Sequence, residues 1–204
     1  AQSPISCMPA SPLITIAGFT PGIRLMVASL GVGLCSAWPL LRLTGPRERW
    51  PVRRVVLDLV TITTLAQVVL WPLRLTTAWS PARLAMIDAL MVAWSVVVAA
   101  IVAGAVGSGS ASVRTRAMIA CLVITALGLP LELACRSAGL AEPPAWALGP
   151  VLGPLSLTSP ESSMRAEEAG VGLGIVLSIA TLAWARTWYA VRPKPPVAPF
   201  PADR

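Results

Sequence analysis

The sequence contains no histidine and only one lysine, Lys194. Histidine is the commonest metal ligand and the commonest general base in proteins, so its absence excludes a histidine-based metal centre, haem site or acid–base pair. Charged residues make up only 12% of the chain, against roughly 25% in an average soluble domain. The chain is also 55% hydrophobic, which leaves too little polar surface to cover a globule in water. These shortages predict a protein that places its apolar surface in lipid.

The charge that is present comes mostly from arginine and gives a net charge of +7. A basic balance is typical of nucleic-acid-binding proteins. Here, however, the arginines cluster in short stretches between apolar runs, which is the pattern that the positive-inside rule produces in membrane proteins. We therefore favour a membrane protein and expect no nucleic-acid partner.

Five apolar runs are long enough to cross a bilayer, because a hydrocarbon core of ~30 Å needs about 20 residues of helix. They predict an all-α fold, a polytopic bundle of five transmembrane helices. Residues 1–24 would form an external N-terminal segment, residues 25–191 the transmembrane domain and residues 192–204 a cytoplasmic tail. The predicted spans cover residues 25–43, 55–75, 82–107, 117–135 and 169–191.

The segment between the fourth and fifth runs, residues 136–168, is rich in proline. Proline removes backbone donors and breaks helices, and the apolar stretch 145–157 is too short to cross the membrane. We expect one or two short helices here that lie on the outer surface or dip partway into the bilayer as a re-entrant segment. A sixth span remains the alternative.

The distribution of basic residues predicts the orientation. The loop 44–54, the loop 108–116 and the C-terminal tail are rich in arginine and share one side of a five-span bundle. Since positively charged loops stay in the cytoplasm, we expect the N-terminus outside and the C-terminus inside, in a plasma membrane or a bacterial inner membrane. Most tryptophans fall near the two predicted interfaces, where amphipathic rings are favoured, whereas Trp94 falls deep in the third span.

Small residues recur at helix-packing spacing on two of the predicted spans. Such rows let helix backbones approach closely in lipid. They predict packing within the chain or an interface with a second copy or another membrane subunit, and both can hold at once. The rows are Ala99, Ala103 and Gly107 on the third span, and Gly170, Gly174 and Ser178 on the fifth.

Ionisable residues inside a membrane are costly, so each needs a partner or a function. Four of them fall near the same outer level and predict a polar cluster, which either locks the bundle by charge pairing or faces a substrate or an ion. Asp58 falls near the other side, where we expect a salt bridge to Arg53 or Arg54. The four residues of the predicted outer polar cluster are Asp88, Glu132, Arg74 and Arg83.

The four cysteines fit no metal-binding spacing, and the sequence has no nucleophile elbow and no phosphate-binding glycine loop. We therefore predict that the chain is not an enzyme and binds no cofactor and no metal. Cys35 and Cys121 fall inside predicted spans and are expected to be buried as apolar residues. Cys7 and Cys135 fall on the predicted outer side, where an oxidising environment would allow them to pair.

The C-terminal third of the chain has an arrangement that resembles a known family. A proline-rich outer segment contains the run Leu157-Thr158-Ser159-Pro160 and then Arg165, and a final apolar helix follows and ends at residues 186–192, which are rich in arginine. This resembles the C-terminal part of the six-helix exporter-type ABC permeases, in which a short outer helical element often lies between the last two spans, commonly near a Ser-Pro or Asn-Pro step.

The resemblance implies that the five predicted spans correspond to the second to sixth helices of these permeases. Two features depart from the family. Its first span has no counterpart in these residues, and the loop 44–54 is short for a coupling helix that docks on an ATPase.

Two functions follow as hypotheses. The first is a permease-like subunit of an export system, which would work with a separate cytoplasmic ATPase and contact it through residues 44–54 and 108–116. The second is a non-catalytic accessory subunit of a larger membrane complex, respiratory or photosynthetic, which would contact other membrane subunits and no ATPase. The lack of histidine and of catalytic motifs and the rows of small residues suit the second.

Overall fold

The computed structural model describes residues 13–46, 50–77, 79–108, 110–141, 143–159 and 166–191. These residues form helices joined by short turns and no strand, which confirms the predicted all-α fold. A π turn, Gly33–Ala37, joins the first two helices. The helices are α1 (Leu13–Val32), α2 (Trp38–Thr44), α3 (Pro51–Leu70), α4 (Leu73–Thr76), α5 (Pro81–Val106), α6 (Ala111–Ala126), α7 (Gly128–Ser137), α8 (Gly149–Ser156) and α9 (Ala166–Val191).

Four stretches of helix are long and apolar enough to cross a membrane, and the pair α6 and α7 makes a fifth if it is counted as one bent span. This pair bends by 43°. Pro130 explains the bend, because it has no N–H to donate to the Ala126 carbonyl one turn earlier. The protein is therefore a membrane protein built as a helix bundle. The other four spans are Pro21–Thr44, Pro51–Leu75, Pro81–Val106 and Gly170–Tyr189.

The central helix of the bundle is α5. It packs most extensively against α9 and also contacts α2, α3, α6 and α8. It is apolar on all sides, as expected of a helix that others enclose. The indole N–H of Trp184 on α9 donates to the Val96 carbonyl of α5 at 3.1 Å, and the Thr187 hydroxyl donates to the Ala100 carbonyl at 3.0 Å. Apolar packing and these two hydrogen bonds hold α9 to α5.

The helix α8 lies inside the bundle, packed against α1, α5, α6 and α7. Gly149, Pro150, Gly153 and Pro154 of this helix are all buried. The expectation of a surface helix is therefore wrong, and the alternative of a segment that dips inward describes α8 better. Eight residues of helix span about 12 Å, which is too short for a sixth crossing of a ~30 Å core.

Large apolar side chains cover the outer faces of α3 and α9. Leu65 and Val68 on α3 are 61% and 67% exposed, and Leu182 on α9 is 72% exposed. A soluble monomer rarely leaves extended apolar surface uncovered, whereas the hydrocarbon of a bilayer covers such faces without cost. The outer faces of these helices are thus the lipid-contacting surface of the protein.

Candidate functional site

The first span is interrupted at mid-length by the π turn Gly33–Ala37. Its backbone is wider than an α-helix, and the Trp38 N–H closes the turn on the Gly33 carbonyl. Single π turns inside α-helices are rare and occur frequently at functional sites. This turn places Cys35 and Ser36 in the interior, where they are 1% and 7% exposed.

A short chain of hydrogen bonds ties the π turn to α6. The Ser36 hydroxyl donates to the Thr125 hydroxyl across 2.8 Å. Thr125 in turn donates to the Cys121 carbonyl of its own helix at 2.8 Å, with the Cys35 carbonyl 3.4 Å away as a second acceptor. One hydroxyl of α6 therefore holds two successive residues of the π turn.

The central helix α5 completes this arrangement through Ser95. Its side chain is fully buried, donates to the Met91 carbonyl at 2.7 Å and lies 4.0 Å from the Cys35 thiol. We call the five buried or half-buried residues that meet here the hydroxyl cluster. The hydroxyl cluster consists of Cys35, Ser36, Ser95, Cys121 and Thr125.

Two other interruptions of the helices lie one turn from the hydroxyl cluster. The bend between α6 and α7 begins next to Gly128, and the N-terminal end of α8 packs against it. A Cβ atom at Gly128 would overlap the Leu148 carbonyl, and one at Gly31 would lie 2.8 Å from the Pro150 carbonyl oxygen. Gly149 has φ +78°, a conformation that glycine adopts without strain. The backbones of three elements thus approach one another more closely than any larger residue allows.

Two indole N–H groups are buried and lack a hydrogen-bond partner among the described residues. They belong to Trp38, which follows the π turn, and to Trp94, which precedes Ser95 on α5. Buried donors of this kind are uncommon and call for a partner such as water or a ligand. The hydroxyl cluster itself has donors and acceptors without charge, which suit hydrogen bonding to neutral polar groups.

The predicted outer polar cluster is divided between different partners. The Asp88 carboxylate accepts a hydrogen bond from the Gln67 amide, and the Gln67 carbonyl oxygen accepts one from the Trp71 indole at 2.6 Å. This chain joins α3 to α5. Glu132, in contrast, pairs with Arg136 one turn later on α7 at 2.6 Å. The prediction of one cluster that unites Asp88 and Glu132 is wrong.

The two arginines predicted for the same cluster also differ in their surroundings. Arg83 is half-buried, and its guanidinium donates to the Ser159 carbonyl at 3.4 Å, which connects the start of α5 to the end of the α8 segment. Arg74 on α4 is exposed. Arg83 therefore links two elements of the bundle, whereas Arg74 lies on the protein surface.

Asp58 forms an ion pair at the predicted cytoplasmic end, with a partner that differs from our expectation. Its carboxylate lies 2.8 Å from Nε of Arg42 on α2. The predicted partners were Arg53 and Arg54 on the same helix as Asp58. An ion pair between α2 and α3 joins two successive spans, which a pair within α3 cannot do.

The two predicted rows of small residues have different environments. Ala99 and Ala103 on α5 are fully buried, and Gly107 is half-buried at the helix end, so this row packs within the chain as predicted. The row on α9 is exposed, and nothing lies within 4 Å of a Cβ placed at its two glycines. Internal packing is therefore wrong for Gly170, Gly174 and Ser178, and α9 instead buries a face that includes Gly172, Val176 and Ala180.

The predicted burial of two cysteines is confirmed, since Cys35 and Cys121 are 1% and 0% exposed. Cys135 is half-buried on α7. Its predicted disulfide partner Cys7 lies outside the described residues, as do residues 192–204 of the predicted tail.

Sequence reasoning missed the hydroxyl cluster. Ser36, Ser95 and Thr125 are neutral and small, and such residues are common in membrane helices, so none of them stood out alone. The signal available was their position near the middle of three separate apolar runs, which places them at a similar depth. No feature of the sequence indicated the π turn.

Comparison of the chain with protein families, with curated proteins and with solved structures finds no match.

Proposed function

We propose that this chain is a permease-like subunit of a membrane export system that works with a separate cytoplasmic ATPase. The observation that carries the proposal is the meeting of three helix interruptions, the π turn, the α6–α7 bend and the end of α8, beside the hydroxyl cluster. In membrane transporters, irregular backbone at membrane depth is tolerated where it is buried in protein or lines a cavity, and substrate sites are built from discontinuous helices.

The chemistry of the site suits passage rather than reaction. Its groups are hydroxyls, thiols and carbonyls, which can exchange hydrogen bonds with a neutral polar solute. The elements around the site, α8 and the α6–α7 pair, are short or bent, and α8 packs against four other helices. Substrate would pass as these elements shift against the enclosed helix α5.

The predicted cytoplasmic end offers a further argument. The Arg114 guanidinium at the start of α6 donates to the Gly45 carbonyl after α2 at 2.8 Å. This bond joins the loops 44–54 and 108–116, which are the two loops expected to contact the ATPase. A movement of either loop would then be transmitted to two helices. These are α2, which follows the π turn, and α6, which carries Thr125.

The place of α8 along the chain supports the proposal through the resemblance to exporter-type ABC permeases. It lies in the chain between the last two spans, where these permeases often have a short outer helical element. Here α8 packs inside the bundle and contacts four other helices, so it would act as a plug that must shift before a solute passes.

A second candidate function is supported by the exposed row on α9. Gly170, Gly174 and Ser178 present a smooth surface, because the Ser178 hydroxyl is turned to the Gly174 carbonyl of its own helix at 2.8 Å. Such a surface suits close contact with another membrane helix. On this alternative the chain is an accessory subunit of a larger membrane complex, and its function is to pack against the other subunits.

The proteins that co-purify with the full-length chain from its native membrane in mild detergent distinguish the two functions. The permease proposal expects a stoichiometric nucleotide-binding ATPase, identified by mass spectrometry. It also expects the variant Arg114→Gln to retain less of this ATPase, whereas Arg136→Gln, at the other end of the bundle, retains it fully. Cofactor-bearing subunits in place of an ATPase would end the proposal and support the accessory subunit.

A further inference from the structure

A lateral groove of about 360 Å³ separates the first span from α3. It exists because α3 packs mainly on α5 and leaves the side facing α1 and the π turn open. Its walls are apolar apart from Ser29. Residues that define the walls are Met26, Leu30 and Trp38 on the first span, and Ile62, Ala66 and Val69 on α3.

The groove is long enough to hold part of an acyl chain. The two walls run antiparallel, so Met26 and Val69 lie at one end while Trp38 and Ile62 lie at the other. From Met26 to Trp38 the first span rises about 18 Å. The α3 wall, from Ile62 to Val69, is shorter and rises about 10 Å. Met26 lies more than one turn inside Pro21 and Trp38 more than one turn inside Thr44, so the groove holds a segment of an acyl chain in the middle part of the span.

Positive charge lies at the surface end of the groove and on both of its walls. Arg24 precedes Met26 on α1, and Arg74 follows Val69 on α4, and both side chains are exposed. Neither has an acidic partner among the residues that the structure describes. Because the two spans are antiparallel, Arg24 and Arg74 lie toward the same end of the groove, and Trp71 comes one turn before Arg74. An exposed indole at this level is typical of the headgroup region.

We propose that this groove binds an anionic phospholipid, with one acyl chain between α1 and α3 and the phosphate between Arg24 and Arg74. The apolar walls accept the chain, and the two guanidinium groups accept the headgroup charge. A zwitterionic lipid has the same chains but no net charge, so the site should discriminate between the two by headgroup. The bound lipid would fill the gap between two successive spans that contact each other little.

The proposal is independent of the transport function and is tested on the purified full-length chain by native mass spectrometry. The probes are phosphatidylglycerol and phosphatidylcholine with identical acyl chains, supplied together. We expect one retained phosphatidylglycerol per chain. In Arg24→Gln/Arg74→Gln the preference should fall roughly fivefold for each arginine lost, which is the contribution of about 1 kcal/mol expected for a basic residue near an anionic headgroup.

The matched control is Arg53→Gln/Arg186→Gln, which removes two exposed arginines at the other end of the bundle. It should keep the full preference for phosphatidylglycerol. An equal preference for phosphatidylglycerol in the two double variants would overturn the proposal, because Arg24 and Arg74 would then not distinguish the two headgroups.

A second variant tests the chain-binding part of the site. Nothing lies within 4 Å of a Cβ placed at Gly33, so Gly33→Leu extends into open groove and should displace lipid with either headgroup. Gly174→Leu, on α9, is the control, since a Cβ at that position also meets open space. A Gly33→Leu protein that elutes as the wild type does and still retains its lipid would overturn the proposal, as would a wild-type chain that retains a second protein copy and no lipid.

Discussion

Ser36 on the π turn donates its hydroxyl to Thr125 on α6 across 2.8 Å. In Thr125→Val the shape is kept and the acceptor is lost, so Ser36 loses its partner on the neighbouring helix. Hydrogen bonds between helices in membrane bundles contribute about 0.6 kcal/mol on average and up to about 1.7 kcal/mol. We expect a loss in that range in the free energy of unfolding, measured in detergent.

The control for this variant is Thr115→Val on the same helix. Thr115 is exposed and bonds only to the Ala111 carbonyl of its own helix, at 3.1 Å. If both variants lost the same stability, the bond between helices would contribute nothing. The double variant Ser36→Ala/Thr125→Val should lose less than the sum of the two single variants, because they share one interaction.

Gly128→Ala should release α8 from the bundle. The added Cβ overlaps the Leu148 carbonyl, and a backbone atom cannot move aside as the end of a flexible side chain can. Overpacking of a tight contact costs about 1–3 kcal/mol, and we expect a loss of that size in a thermal unfolding experiment. A cysteine placed at Leu148, which is 6% exposed, should become reactive to maleimide in this variant.

Gly170→Ala serves as the control, since its Cβ would meet open space. It should lose no stability and leave a cysteine at position 148 protected. Equal protection of that cysteine in Gly128→Ala would contradict the close approach of α8 to the bend.

Thr187→Val should weaken the attachment of α9 to α5. The Thr187 hydroxyl is buried and donates to the Ala100 carbonyl at 3.0 Å, so valine keeps the packing and loses the bond. We expect a loss of about 0.6–1.7 kcal/mol in the free energy of unfolding. The exposed Thr181 bonds only within its own helix, to Leu177, and Thr181→Val should change stability by less. The reverse order of the two losses would refute this role for Thr187.

The predicted orientation is open to a labelling experiment on intact cells. Ser137 and Ser112 are exposed and lie at opposite ends of the bent α6–α7 pair. With Cys7 and Cys135 replaced by serine, a cysteine at position 137 should react with a membrane-impermeant maleimide from outside. A cysteine at position 112 should react only after permeabilisation. The opposite pattern would place the C-terminus outside.

The positions of the spans could be predicted from the sequence because length and apolarity decide them. The predicted span 82–107 and the observed Pro81–Val106 differ by one residue at each end, since Pro81 starts the helix and Gly107 follows it. The fourth span was predicted as one helix over 117–135. Pro130 lies within this run, but its effect on the Ala126 carbonyl, and hence the 43° bend, depends on how the freed backbone repacks.

The candidate site could not be predicted in the same way, because it depends on contacts between distant elements. Asp58 had arginines one turn away on its own helix, yet it pairs with Arg42 across the bundle. The small-residue row on α9 had the spacing of a packing face, yet α9 buries Val176 and Ala180 on another face. Spacing identifies a face of a helix, and the partners around the helix decide whether it is buried.

The enclosed position of α5 has a consequence for how the protein is made. α5 ends at Val106, but its principal partner α9 begins only at Ala166. At about 5–20 residues per second, synthesis of the intervening chain takes roughly 3–12 s. During that interval the face of α5 that later packs against α9 contacts lipid. The Val96 and Ala100 carbonyls then still lack the hydrogen bonds from Trp184 and Thr187. The principal partner of the central helix is thus synthesised well after the helix itself.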